Sequence, residues 1–217
     1  MIVQTFETGP VATNGYLAAA RRGGKALAID APQGVTSLMI QQSAEWNTPI
    51  GFLIDTHGHW DHFLDNAELK RRTGAKFGIH RERAPLLSMP QTRFFGFDFD
   101  IEPSEPDFFL EEGAPLIVGD LTFEVLHCPG HCPGSVVLFE PKERVAFVGD
   151  VLFAGSIGRT DLPGGDFETL MDSIQNKLWP LGDDVQVFPG HGPVTTIGRE
   201  RRNWPNTPWG RTVSRGS

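Results

Sequence analysis

Strand-like apolar runs in this chain end, again and again, on a histidine or an aspartate. GFLI at 51–54 leads into THGHWDH, which sets His57, His59, Asp61 and His62 within six positions. LTFEVL at 121–126 leads into HCPGHC, with His127 and His131. RVAFV at 144–148 leads into Gly149-Asp150, VQVF at 185–188 into PGHG with His191, and AKFGI at 75–79 into His80. In sheets flanked by helices, sites gather beyond the strand ends. Scattered structural histidines have no reason to obey that rule. The fold must therefore bring these segments to one edge of a sheet.

The rest of the pattern agrees. YLAAA at 16–20, ALAI at 26–29 and SVVLF at 135–139 read as further strands bounded by Gly, Pro or Asp. Helical spacing predicts helices over 35–46, over 62–72 with Thr73-Gly74 as the stop, and over 167–180 with Asp166 as cap and Pro180 as end. Strands alternating with helices predict a layered α/β domain. We expect one domain over residues 1–198 and a basic, Trp- and Pro-containing tail over 199–217, disordered at its end. Trp204 and Trp209 are expected to pack on the domain or on a second subunit, which allows a homodimer. The stretch 91–110 holds six of the sixteen phenylalanines. It reads as a loop whose aromatics pack on the core, or as a hydrophobic flap over a site.

Charge narrows the function. With 19 Lys+Arg against 27 Asp+Glu the net charge is −8, which argues against binding a nucleic-acid backbone. No apolar stretch approaches the roughly 20 residues of a membrane span, and MIVQTFETGP has no basic segment ahead of an apolar one, so no secretion signal is expected. Cys128 and Cys132 make no disulfide framework, and reduced thiols in a cytoplasmic protein are expected.

The histidine and aspartate set carries the chemistry. His57 and His59, at i and i+2 of an extended segment, can point to one side. Imidazole and carboxylate without thiolate suit zinc, iron or manganese. Six or seven such groups exceed the four of one tetrahedral zinc. They match two ions about 3.5–4 Å apart that share a carboxylate and a hydroxide. Hydrolysis is the reaction class such a pair serves.

THGHWDH, HCPGHCPGS, FVGD and PGHG, in that order from about Gly15 to Gly198, resemble the metallo-β-lactamase fold superfamily. The similarity is greatest to its short hydroxyacylglutathione hydrolase (glyoxalase II-like) members. The resemblance implies a four-layer αββα sandwich with metals in a groove at one edge. It implies that His57, His59 and His131 hold one divalent ion and Asp61, His62 and His191 the other, with zinc expected. It further implies that Asp150 bridges them and that Asp61 orients or deprotonates the attacking water. A bridging aspartate at position 150 is unlike the true β-lactamases of the superfamily. Arg159, the only cation of GSIGRTDLPGGD, is either paired with Asp161 or a clamp for a substrate carboxylate. His80 and His127 fall outside the motif positions and read as surface or supporting groups, the two cysteines as small buried thiols, and Trp60 as core. Only 26 residues (217 − 191) follow His191, too few for the helical C-terminal domain of full-length glyoxalase II enzymes. The implied substrate is a small thioester such as S-D-lactoylglutathione. The competing implication is a one-iron persulfide dioxygenase, which shares a GRTD segment like Gly158–Asp161. A third reading is a metallohydrolase of another small ester or lactone.

Overall fold

The computed structural model describes residues 1–87, 93–94, 97–98, 101–204 and 207. β1 (Ile2–Thr8) and β2 (Thr13–Ala19) form an antiparallel hairpin, and β3 (Ala26–Ile29) continues it. The chain crosses through α1 (Thr36–Trp46) to β4 (Ile50–Ile54), parallel to β3. It then passes through α2 (Trp60–Phe63) and α3 (Asn66–Thr73) to β5 (Lys76–His80), parallel to β4. After α4 (Ala84–Leu87) and the short ladder of β6 (Arg93–Phe94) with β7 (Phe97–Asp98), β8 (Phe108–Leu110) joins parallel to β5. The first sheet thus runs β1-β2-β3-β4-β5-β8.

The second sheet begins as an antiparallel meander of β9 (Leu116–Val118), β10 (Leu121–His127), β11 (Val136–Glu140) and β12 (Val145–Gly149). The two-stranded β13 (Leu152–Phe153) and β14 (Ser156–Ile157) lead to α5 (Phe167–Ser173). β15 (Gln186–Pro189) then returns parallel to β12, followed by β16 (Thr195–Thr196) and α6 (Ile197–Asn203).

Side-chain alternation along these strands builds three apolar layers between four structural ones. In β3, Leu27 and Ile29 face the other sheet and meet Phe123, Leu138 and Phe147. Ala26 and Ala28 face outward, into a core with Met39 of α1 and Leu69 of α3. In β12, Val145 and Phe147 face the first sheet, while Ala146 and Val148 join Leu170 and Ile174 on the helical side. Strands covered on both faces have no solvent side, which is why RVAFV reads as an unbroken apolar run. The αββα sandwich is the observed architecture.

Three local differences have physical causes. The helix expected over 62–72 is two, because Asp65 turns inward: its backbone N–H donates to Ala31 O at 2.9 Å and its carboxylate accepts from Thr36 N at 3.0 Å. The helix from Phe167 is regular only to Ser173. It widens to a π turn over Ile174–Leu178 and tightens to a 3-10 turn over Trp179–Leu181, where Pro180 has no N–H to continue it. α6 spans the expected boundary at 198, with the Thr196 hydroxyl accepting from Arg199 N at 3.2 Å. Trp204 meets Trp179 edge-on, ring centroids 5.7 Å apart, so this tryptophan packs on the domain itself. Trp209, most of the tail and much of the Phe-rich stretch lie outside the described residues, and with them the flap reading.

Candidate metal centre

The strand ends deliver seven side chains to one groove. His57 follows β4, His62 sits on α2, His131 lies between β10 and β11, Asp150 follows β12 and His191 follows β15. His57, His62 and His131 are buried; His59, Asp61 and His191 keep partial exposure to the groove.

Two clusters share one aspartate. His59 Nδ1 lies 3.1 Å from His57 Nε2 and 2.8 Å from His131 Nε2. Three ring nitrogens converge there, the arrangement that neutral imidazoles adopt around one cation. Asp61 Oδ2 lies 3.4 Å from His62 Nε2 and 3.2 Å from His191 Nε2. Asp150 stands between: Oδ1 is 3.5 Å from His62 Nε2, and Oδ2 is 3.5 Å from His131 Nε2 and 3.6 Å from His191 Nε2. His62 Nε2 and Asp150 Oδ1 are buried with no hydrogen-bond partner. Buried polar atoms are rarely left so, and a bound ion accounts for both. The donor set fits two divalent ions.

A second ring of residues sets which nitrogen carries each proton. The His131 Nδ1–H donates to Arg159 O at 2.7 Å. Asp30 accepts from Thr56 N at 2.7 Å, from the Thr56 hydroxyl at 2.9 Å and from His62 Nδ1 at 2.8 Å. With its proton given to Asp30, the Thr56 hydroxyl accepts from His57 Nδ1 at 3.0 Å. One carboxylate thereby fixes two imidazoles with their Nε2 lone pairs facing the groove. The Thr13 hydroxyl donates to Asp61 Oδ2 at 2.8 Å. Asn14 and Tyr16, on the same strand, hold the loop that carries His191: Asn14 Nδ2 donates to Pro189 O at 3.0 Å and Gly192 O at 2.8 Å, and the Tyr16 hydroxyl donates to Pro189 O at 2.5 Å.

The electrostatics agree with a cation centre. Burial, reinforced by His62, pushes His57 well below the ordinary imidazole range. Burial and the neighbouring His131 bring His59 down to about 3. Both are therefore neutral, the form that ligates metal. His62 goes the other way. Burial opposes its charge, yet Asp61, Asp30 and Asp150 raise it to about 10. Three carboxylates converge on a place that demands positive charge. Asp61 is itself held below the usual carboxylate range, against burial, by His62 and His191.

The motif glycines are spaces the site needs. A Cβ on Gly190 would stand 2.2 Å from Asp150 Oδ1 and 2.7 Å from His62 Cε1. One on Gly158 would stand 1.9 Å from Asp150 O.

Other expected residues fall as follows. The Arg159 guanidinium forms a two-pronged pair with Asp161, 2.7 Å at each prong, at the surface. His80 and His127 leave the cluster and stack on each other, centroids 4.4 Å apart and 10° from parallel. Cys128 and Cys132 are free, buried thiols. Trp60 is core. The supporting residues Asp30, Thr56 and Thr13 are not among the sequence expectations. Asp30 is within reach of the same rule: it follows ALAI just as Asp150 follows RVAFV. Among the described residues, no helix is long and apolar enough to cross a membrane.

Known proteins resemble the chain in sequence and fold. Hydroxyacylglutathione hydrolase GloC of Haemophilus influenzae is 43% identical over 185 residues, covering 83% of this chain and 87% of that protein. A solved structure described as the BLEG-1 B3 metallo-β-lactamase superposes with a TM-score of 0.85 at 35% identity, covering 93% of this chain and 97% of that one. Another, TTHA1623 in a di-iron-bound form, has a TM-score of 0.82 at 33% identity, covering 95% and 99%. The family model of the metallo-β-lactamase superfamily matches residues 19–191. The chain belongs to the metallo-β-lactamase superfamily and is a hydrolase of that family.

Proposed function

We propose that the chain hydrolyses a small thioester, S-D-lactoylglutathione or a related acyl-glutathione. The observation that carries this is Asp150, whose two oxygens reach both clusters of ligating groups. The relative named hydroxyacylglutathione hydrolase directs the choice of substrate. His57, His59 and His131 would hold one ion and Asp61, His62 and His191 the other, with Asp150 between. Zinc is our choice, and iron or manganese suits the same donors. When bound, the ions would supply Lewis acidity towards the thioester carbonyl and a nucleophile at neutral pH.

The chain's own residues do the rest. Asp61, pinned by Thr13, orients the attacking water. Asp30 and Thr56 keep the His57 and His62 lone pairs on the groove, and Arg159 O does the same for His131. Two unpaired buried thiols suit a cytoplasmic protein.

The dioxygenase reading uses one iron on His57, His131 and Asp150. The intact group of Asp61, His62 and His191, with ligand atoms within 4.8 Å of one another, favours the two-ion reading. The test is turnover of S-D-lactoylglutathione, with a β-lactam and glutathione persulfide as parallel substrates. We expect thioester turnover at about 10⁴ M⁻¹s⁻¹ or faster. His59→Ala and Asp150→Ala should each lower it about a hundredfold or more, with loss of metal. Turnover confined to the β-lactam or the persulfide would refute the proposal.

A further inference from the structure

Arg83 lies in the turn between β5 and α4, and its side chain threads three loops of the site. A Cβ on Gly58 would come within 2.9 Å of Arg83 Cβ, one on Gly134 within 2.7 Å of Cγ, and one on Gly164 within 3.4 Å of Nη2. The glycines of THGHWDH, HCPGHCPGS and GRTDLPGGD together clear a channel for this one side chain. The guanidinium reaches the Cys132 thiol, and its charge is felt at His59. Among the described residues, its Nε and Nη2 are buried with no hydrogen-bond partner.

This is an unusual place for an arginine. A guanidinium cation taken out of water needs a counter-charge. Among the described residues, Arg159 pairs with Asp161, Arg81 with Glu111 and Lys177 with Glu112, and no carboxylate pairs with Arg83. If Arg83 only filled its channel, a methionine would serve as well. The residue is partly rather than fully buried, so its side chain is not sealed off from a ligand.

We propose that Arg83, and not Arg159, receives the anionic group of the substrate, a carboxylate of the glutathione moiety, beside the His57–His59–His131 cluster. This assignment rests on the thioester reading above. Its geometry gives the groove an orientation: the carboxylate end lies towards Pro133 and Gly164, and the thioester carbonyl towards Asp150.

The test compares wild type with Arg83→Met, which keeps the apolar stem in the glycine channel and removes the charge. Arg83→Lys, which keeps a charge with shorter reach, serves if the methionine variant does not fold. Metal content is measured on each protein. KM and kcat are then measured for S-D-lactoylglutathione and for the uncharged S-lactoyl-N-acetylcysteamine, and glutathione binding by calorimetry. We expect the KM of the anionic thioester to rise about tenfold more than that of the neutral one, and glutathione binding to weaken about tenfold. Equal shifts for both thioesters, with glutathione binding intact, would overturn the proposal alone. Arg83-dependent glutathione binding without thioester turnover would sink the hydrolase reading and leave the anion site standing. A wild type that neither binds glutathione nor cleaves either thioester would overturn both.

Discussion

Asp30→Asn is the most informative single change, because it alters two ligands while touching neither metal. Asparagine keeps the shape of aspartate and tolerates the left-handed backbone found here, φ +55°. Its carbonyl oxygen must stay on Thr56 N, a buried donor with no other acceptor. The new NH₂ group then faces both the Thr56 hydroxyl and His62 Nδ1. It donates to each. The hydroxyl turns to donate to His57 Nδ1, and both imidazoles move their protons to Nε2, where the lone pairs had faced the groove. The hydrogen-bond count barely changes, so the fold should lose no more than about 1–2 kcal/mol. Metal affinity should fall roughly 10–100-fold for each ion, or about 1.4–2.8 kcal/mol. The assay is competition for zinc against a chromophoric chelator, with thermal melting of the metal-free protein alongside. If Asp30→Asn binds both ions within threefold of wild type, Asp30 does not set both tautomers.

Gly190→Ala should lose both metal and stability, since its methyl would overlap Asp150 and His62; elemental analysis and a melt would show it, and wild-type metal content would refute it. Thr13→Val keeps shape but removes the donor to Asp61 Oδ2, and kcat should drop about tenfold with metal content unchanged; an unaltered kcat would show that the hydroxyl is idle. His80 gives a pH prediction. Burial and the stacked His127 lower its pKa from the ordinary 6.5. The unfolded chain therefore binds this proton more readily, and stability is lost as pH falls through 6.5. His80→Asn should lose less of its Tm between pH 7 and pH 5 than wild type does, and an equal loss would contradict the assignment.

Much of the site is legible in the sequence because local geometry writes it there. A strand buried on both faces must be apolar throughout, so its end is marked by the first polar residue, and the next polar group lands at the sheet edge. That rule finds His57 and Asp150 without any structure, and the partly exposed strands β10 and β15 point to His131 and His191 by the same position just past a strand end. It also reaches Asp30, since ALAI is as clean a strand as RVAFV. The supporting contacts are harder. Thr13 reaches Asp61 across 48 positions and Asn14 reaches Gly192 across 178, and β2, which carries both, has no local mark of what it will face. β1 escapes the sequence pattern because IVQTFET is only half-buried and its weak alternation is easily read as a loop. Arg83 is the extreme case. Nothing near RER at 81–83 says that Gly58, Gly134 and Gly164 leave it a channel. Arg159 stands out instead because its loop does, yet its charge is already taken by Asp161.

Every functional step above depends on seven side chains holding two ions. Elemental analysis of anaerobically purified protein, with thioester turnover measured on the same sample, tests this directly. We expect two divalent ions per chain and hydrolysis of S-D-lactoylglutathione. One iron per chain, no thioester turnover and oxygen uptake with glutathione persulfide would contradict it, and would leave Asp61, His62 and His191 as supports of a single-metal site.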